Sequence, residues 1–496
     1  MTSEILQQAR DYENKNADSI TKEERPSFHV TPPIGWMNDP NGFSVYKGEY
    51  HLFFQYHPYS IKWGPMHWGH YKTKDFIRWE RLPVAIAPDS DFDIDGCFSG
   101  SAVELSDGRQ MLMYTGVYPE MLEDGTKKTV QAQCVAFGDG INYEKSKLNP
   151  VLKENDLPEW GSKWDFRDPK IWKKDKDLYA VVGTRTTDGS GAILLYKASE
   201  DAPEKWTLVS TIDRSNNEYG KMWECPDLFM LDGKWVLITS PQNMVAKGLE
   251  YHNGHDVICI TGNFDYETGK FTRENVMPVE GGIDFYAPQT LLTPDGRRIM
   301  IAWMQAWDSS KFVPKGQKWF GMFTIPRELT IKNGCLIQNP VREIENYRYN
   351  KVSYKNIDVK EEVKLPGVAG RIIDLTATVY FDKKETCRKF VIKFAQNEDF
   401  YSSITYDPAD NLLTLDRTYS GFPHYIVHSR TIEVKKNEYN SLKLRILLDR
   451  NSVELFVNDG EKAMSAALYT PLDADSITFE SKGNVKLDIE KYDLKF

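Results

Sequence analysis

"DPNGFSVYKGEYHLFFQY", residues 39–56, runs from an acidic start through a short apolar strand and a tight polar turn into a second apolar strand. The same plan recurs in SGSAVELSDGRQMLMYTG from Ser99, DPKIWKKDKDLYAVVG from Asp168, ECPDLFMLDGKWVLITSP from Glu224 and APQTLLTPDGRRIMIAWM from Ala287. A turn-forming residue falls nine places after each start, at Gly48, Gly108, Asp177, Gly233 and Gly296. Gly and Asp tolerate the positive φ that hairpin turns require. The starts lie 60, 69, 56 and 63 residues apart. Hairpins at such a period predict the blades of a β-propeller, four strands per blade around a central channel, with longer loops than WD40 or kelch repeats carry. A long sandwich would also supply many strands, but it does not predict a constant offset between motif and turn. Five repeats predict five blades over residues 29–338.

The pattern changes on either side. NPVREIENYRYN (339–350) reads as a short helical linker, taken to end at 354. Beyond it, RIIDLTATVYF, RKFVIKFAQ, NSLKLRILLD and NSVELFVNDG run at strand length between Asn, Asp and Gly turns, which predicts a β-sandwich over 355–496. Residues 1–28 read as a charged, partly helical arm. The expected fold class is therefore all-β, a five-bladed propeller followed by a C-terminal sandwich.

Composition narrows the function. The chain has 496 residues, 41% hydrophobic and 27% charged, with a formal net charge of −10. An acidic chain without clustered Lys and Arg argues against a nucleic-acid or anionic-membrane surface. No apolar run reaches the roughly eighteen residues of a membrane helix. The first residues lack the basic start and apolar stretch of a signal peptide. Cys97, Cys134, Cys225, Cys259, Cys335 and Cys387 are scattered without CxxC pairing, so a cytoplasmic location is expected. His67 and His70 in HWGH, placed in a Trp/Gly-rich loop, are the one close histidine pair, and no zinc-ligand spacing surrounds them; no metal site is expected. Aromatics make up 13%; they fill β cores, and they also stack on sugar rings. No motif specifies an oligomeric state.

The repeat alignment also makes a chemical claim. The first strand of each blade lines the channel, so Asp39, Ser99, Asp168, Glu224 and Ala287 (with Tyr286 beside it) point at one axis. Three of these are carboxylates, and like charges in a partly dry funnel raise one another's pKa. Each acid alone reads as a strand cap or turn former; three together read as a site. Two close carboxylates are what glycoside hydrolysis requires. The polar NDPNG turn is expected to keep Asp39 ionised, as a nucleophile must be. Trp223, Met222, Cys225 and Pro226 are expected to keep Glu224 protonated, as an acid must be. Arg167 is expected to hold Asp168 ionised, as an acceptor for sugar hydroxyls.

WMNDPNG (36–42), FRDP (166–169) and ECPDLF (224–229) stand in the order and nearly the form of glycoside hydrolase family 32, which the chain resembles from about residue 29 to its C-terminus. FSGS (98–101), FYAPQ (285–289), AWMQ (302–305) and LLDRNSVELFVNDG (447–460) resemble further blocks of that family. The resemblance implies a retaining enzyme for β-fructofuranosides, without metal or cofactor, acting on a small-molecule sugar. It implies Asp39 as nucleophile, Asp168 as transition-state stabiliser and Glu224 as acid/base. It further implies that Asn38 flanks the nucleophile and that Gln55 hydrogen-bonds the fructosyl unit. Trp63, Phe98, Tyr286 and Trp303 would form the aromatic wall, and Ser99 and Arg167 polar contacts near the cleaved bond; ordinary blade packing remains the alternative for each aromatic. An arabinoside-cleaving five-bladed relative fits the ECPDLF and FSGS blocks poorly. A catalytically dead sugar-binding propeller would have lost one of the three acids.

Overall fold

The computed structural model describes residues 2–310, 312–382, 387–421, 423 and 426–496. Five antiparallel sheets form the propeller. The first comprises β1 (Gly35–Tyr46), β2 (Glu49–His57), β3 (His67–Thr73) and β4 (Trp79–Ile86); the second β5 (Gly96–Glu104), β6 (Gln110–Met121), β7 (Lys127–Gly138) and β8 (Tyr143–Lys145). The third comprises β9 (Arg167–Lys174), β10 (Asp177–Arg185), β11 (Gly191–Ser199) and β12 (Ala202–Arg214); the fourth β13 (Trp223–Leu231), β14 (Lys234–Pro241), β15 (Ile258–Asp265) and β16 (Lys270–Pro278). In the last blade, β17 (Tyr286–Leu292) and β18 (Arg298–Trp303) pair with β20 (Arg327–Lys332) and β21 (Cys335–Pro340). The intervening β19 (Trp319–Phe320) leaves this blade and adds in parallel to Gly35 and Trp36 of β1, which ties the end of the ring to its beginning.

The hairpin turns follow backbone chemistry. Lys47–Gly48 and Asp232–Gly233 have positive φ at both positions, matching the strand twist in two-residue turns. Gly108 and Gly296 take positive φ in longer turns. The third blade departs from the expected offset. Its turn is Asp175–Lys176, with Asp175 at φ 57, and Asp177 opens β10 opposite Lys174. A two-residue turn needs positive φ at its first position, and Asp175 supplies it.

His67 and His70 lie in strand β3, not in a loop. Three residues apart, they point to opposite faces of the strand, and both faces are buried there. The His70 Nε2 meets His51 Nδ1 at 2.9 Å and its ring stacks on Phe53. Burial pushes His67 down to about 4 and His70 well below the usual imidazole value. They act as packed neutral rings.

The arm is docked. Helix α1 (Glu4–Asn16) starts at an N-cap where Ser3 Oγ accepts from the Leu6 amide at 3.1 Å, and it buries Leu6, Ala9 and Glu13. Arg10 Nε donates to the Val84 carbonyl of β4. Residues 339–354 divide between the end of β21, a 3₁₀ turn (Arg342–Tyr347) and the start of a sandwich strand, Arg348–Val359.

The sandwich packs a six-stranded sheet on a five-stranded one around Leu375, Ile392, Leu444, Val453 and Phe479. LLDRNSVELFVNDG supplies the joint to the propeller. Its Asp449 and Glu454 are buried on either side of His29, at 2.9 Å each, and Glu454 Oε2 accepts from Arg327 Nη2 at 2.6 Å.

Candidate active site

The inner strand of every blade breaks register at its channel end: between Met37 and Pro40, Phe98 and Gly100, Arg167 and Lys170, Glu224 and Asp227, and Tyr286 and Gln289. β-Bulges re-aim side chains. Here they turn one or two residues per blade toward the axis. Asp168, Cys225 and Ala287 each take positive φ (65, 48 and 51) directly before a proline. They are equivalent positions, which corrects the sequence alignment by one residue in the fourth blade. Glu224 pairs with Ser240 just before its bulge, as Arg167 pairs with Gly183 and Tyr286 with Trp303.

The site therefore has two tiers. The deeper tier holds Asp39, Ser99, Asp168 and Cys225. Ser99 Oγ donates to Asp39 Oδ2 at 2.7 Å and Asn38 Nδ2 to Asp39 Oδ1 at 3.1 Å. Trp36 Nε1 orients Asn38 through its amide oxygen at 2.8 Å. Cys225 Sγ lies 3.6 Å from Asp39 Oδ2 and from Asp168 Oδ2, and the Cys225 amide donates to the latter at 3.0 Å. The second tier holds Arg167, Glu224 and Tyr286. Arg167 donates through Nε and Nη2 to Glu224 Oε1 at 3.0 and 2.9 Å, and Tyr286 Oη donates to Glu224 Oε2 at 2.6 Å.

Three expectations about environment are overturned. Asp39 is not kept low by its polar turn: burial and then the charge of Glu224 raise it, against the hydrogen bonds of Ser99, Asn38 and Cys225. Asp168 is pushed up to about 7 by burial, which with the charges of Glu224 and Asp39 outweighs the lowering by Arg167. Arg167 stands 3.8 Å from Asp168 and gives its hydrogen bonds to Glu224. Glu224 does not sit in an apolar nest either. Trp223 is fully buried in a core with Leu237 and Ile258 on the other side of the strand, and the carboxylate of Glu224 meets Arg167 and Tyr286.

A cavity of about 440 Å³ opens over the carboxylates. Asn38, Gln55, Trp63, Phe98, Ser99 and Arg167 line it together with Asp39, Asp168 and Glu224. Trp63 is 49% exposed at the rim, edge-on to Phe98. Tyr286 reaches the site through Glu224. Trp303 does not face the cavity: it is fully buried behind the wall, 5.0 Å from the ring of Trp307, and Trp307 takes the lining position. Strand β18 ends at Trp303, so the chain turns into the pocket only after it. Gln131, Asp165, Gln242 and His255 also line the cavity and carried no sequence signal. Only Trp307 had one, as the second Trp of AWMQAW. No group of three His, Cys, Asp or Glu side chains among the described residues is arranged to hold a metal ion. Chemically, the arrangement offers a carboxylate held by hydroxyl and amide donors beside a second carboxylate bridged by Arg and Tyr. That pairing suits attack and proton transfer at one bond.

Comparison with known proteins matches both halves of the chain. The model for the N-terminal domain of glycosyl hydrolases family 32 matches residues 29–340, and that for the family's C-terminal region matches 343–495. A raffinose invertase of Escherichia coli is 37% identical over 463 residues, covering 91% of each chain. A sucrose-6-phosphate hydrolase of Zymomonas mobilis is 36% identical, over 89% of this chain and 85% of that protein. The solved structure of a mutant β-fructofuranosidase from Bombyx mori in complex with sucrose superposes with a TM-score of 0.84 at 31% identity, covering 100% of this chain and 99% of that one. The chain belongs to glycoside hydrolase family 32 and is a β-fructofuranosidase.

Proposed function

We propose that the protein releases fructose from sucrose, sucrose 6-phosphate or short fructooligosaccharides by double displacement with retention. Asp39 attacks the anomeric carbon of the β-fructofuranosyl unit while Glu224 gives its proton to the departing oxygen. Water then attacks the fructosyl–Asp39 ester, with Glu224 taking the proton back. Asp168 accepts hydrogen bonds from the fructosyl hydroxyls and stabilises the developing positive charge. The observation that carries the reading is the two-tier placement of the acids. Asp39 lies deep, with Ser99 and Asn38 donating to it, and Glu224 lies one tier out, with Tyr286 donating to it. The reactive form has one proton on this pair, carried by Glu224. Tyr286 and Arg167 hold the Glu224 carboxyl in place between turnovers.

The proposal includes a cytoplasmic location and imported substrates. The cysteines described are free thiols, which suits a reducing compartment. Stereochemistry tests the mechanism. NMR of the first fructose released from sucrose is expected to show the β anomer. Initial α-fructofuranose would mean direct attack by water and would refute Asp39 as nucleophile.

A further inference from the structure

Resting on the proposed roles of Asp39 and Glu224, we propose that His255 is a specificity-determining residue that hydrogen-bonds the leaving sugar, the aldose released when fructose is transferred. His255 lines the catalytic cavity beside Gln242 and Trp307, and its side chain is 20% exposed. It lies on the side of the acid: its ring meets Tyr286 edge-on with centroids 5.5 Å apart, and Tyr286 donates to Glu224 Oε2. A general acid must stand next to the oxygen it protonates, so the sugar carrying that oxygen occupies this side of the pocket.

The imidazole is built into position rather than merely present. His255 sits in the connection between β14 and β15, where Met244 and Gly254 exchange backbone hydrogen bonds at 2.8 and 3.1 Å. Gly254 has φ +109, and a Cβ there would come within 2.5 Å of Asp308 Oδ2. The bare backbone lets Asp308, from the segment after β18 of the neighbouring blade, approach under the loop. Its Oδ2 meets His255 Nδ1 at 3.3 Å. That contact takes one ring nitrogen. Nε2 makes no hydrogen bond among the described residues, so it is the nitrogen offered to a ligand. Two blades thus fix an imidazole by one nitrogen over the acid's side of an open cavity. The ligand class this suits is a polyhydroxylated leaving group.

The test exploits the geometry of the ring. His255→Asn keeps an amide near Nδ1 and loses Nε2; His255→Gln places an amide near Nε2. Steady-state kinetics would be measured on sucrose and on 4-nitrophenyl β-D-fructofuranoside, whose leaving group has no sugar hydroxyls. For His255→Asn the ratio of kcat/KM, sucrose over nitrophenyl fructoside, is expected to fall about ten-fold, the usual effect of losing one substrate hydrogen bond. His255→Gln is expected to recover most of that ratio. Inhibition by fructose, which occupies the other side of the cleaved bond, should keep its Ki in both variants. An unchanged ratio, an equal fall on both substrates, or no recovery by glutamine would overturn the proposal. Wild-type enzyme that cleaves neither substrate would instead refute the underlying catalytic reading.

Discussion

Replacing Asp168 by asparagine is expected to make the protein more stable and less active at once. Asp168 is buried against Asp39 and Glu224 and is pushed up to about 7, from an ordinary value of 3.8. Between those two pH values the unfolded chain has released a proton that the folded state still holds, so stability falls as pH rises through this window. At about 1.4 kcal/mol per pH unit, the charged form costs the fold up to about 4 kcal/mol above pH 7. The figure is a ceiling, because the neighbouring Asp39 is raised as well and interacting acids share their titration. Asparagine keeps an oxygen to accept from the Cys225 amide and never carries the charge. Urea unfolding of the propeller is expected to show Asp168→Asn about 1–4 kcal/mol more stable than wild type at pH 8, with the difference closing toward pH 4. Turnover of sucrose should fall about 10²–10³-fold, the effect of removing one preorganised electrostatic contact. A variant no more stable at pH 8, or a stability gain independent of pH, would refute the claim that burial and like charge strain this carboxylate.

The other predictions concern the remaining acids and the domain joint. Asp39→Ala and Glu224→Ala should each fold but lose about three to five decades of kcat, with azide partly restoring Glu224→Ala on an aryl fructoside; near-normal turnover of either would refute its role. Because Asp39 is raised, the acid limb of the kcat/KM profile should lie above the ordinary aspartate value. Ser99→Ala removes a donor to the ionised form, so it should move that limb further up, read from pH–rate profiles of the two proteins. Burial alone would lower His29, but Asp449 and Glu454 lift it to about 9. Its contribution is fully present below about pH 6.5 and lost as pH rises through 9, worth about 3 kcal/mol in all; melting curves of His29→Gln should lack this alkaline loss.

The sequence by itself determined the blade count and the convergence of Asp39, Asp168 and Glu224, because both depend on local periodicity. Each hairpin encodes its own turn and strand pair, and repetition carries the same stretch of each blade, to within one residue, to one axis. The joint between the domains was present as LLDRNSVELFVNDG, though not that its buried Asp449 and Glu454 would clasp His29. Only the tertiary structure decided the electrostatics. Glu224 reads as apolar because Met222, Trp223 and Pro226 adjoin it, yet strand geometry sends Trp223 to the opposite face. The partners that reach its carboxylate, Arg167 and Tyr286, come from 57 and 62 residues away. The bulges settled the rest. A single extra residue per inner strand shifted Cys225 into the place aligned with Asp168 and raised Glu224 to the outer tier. The prolines after Asp168, Cys225 and Ala287 mark the equivalent positions in the sequence, but an alignment counted from the acids passes over them, and which residue stands before the bulge is decided by how the strand pairs with its neighbour.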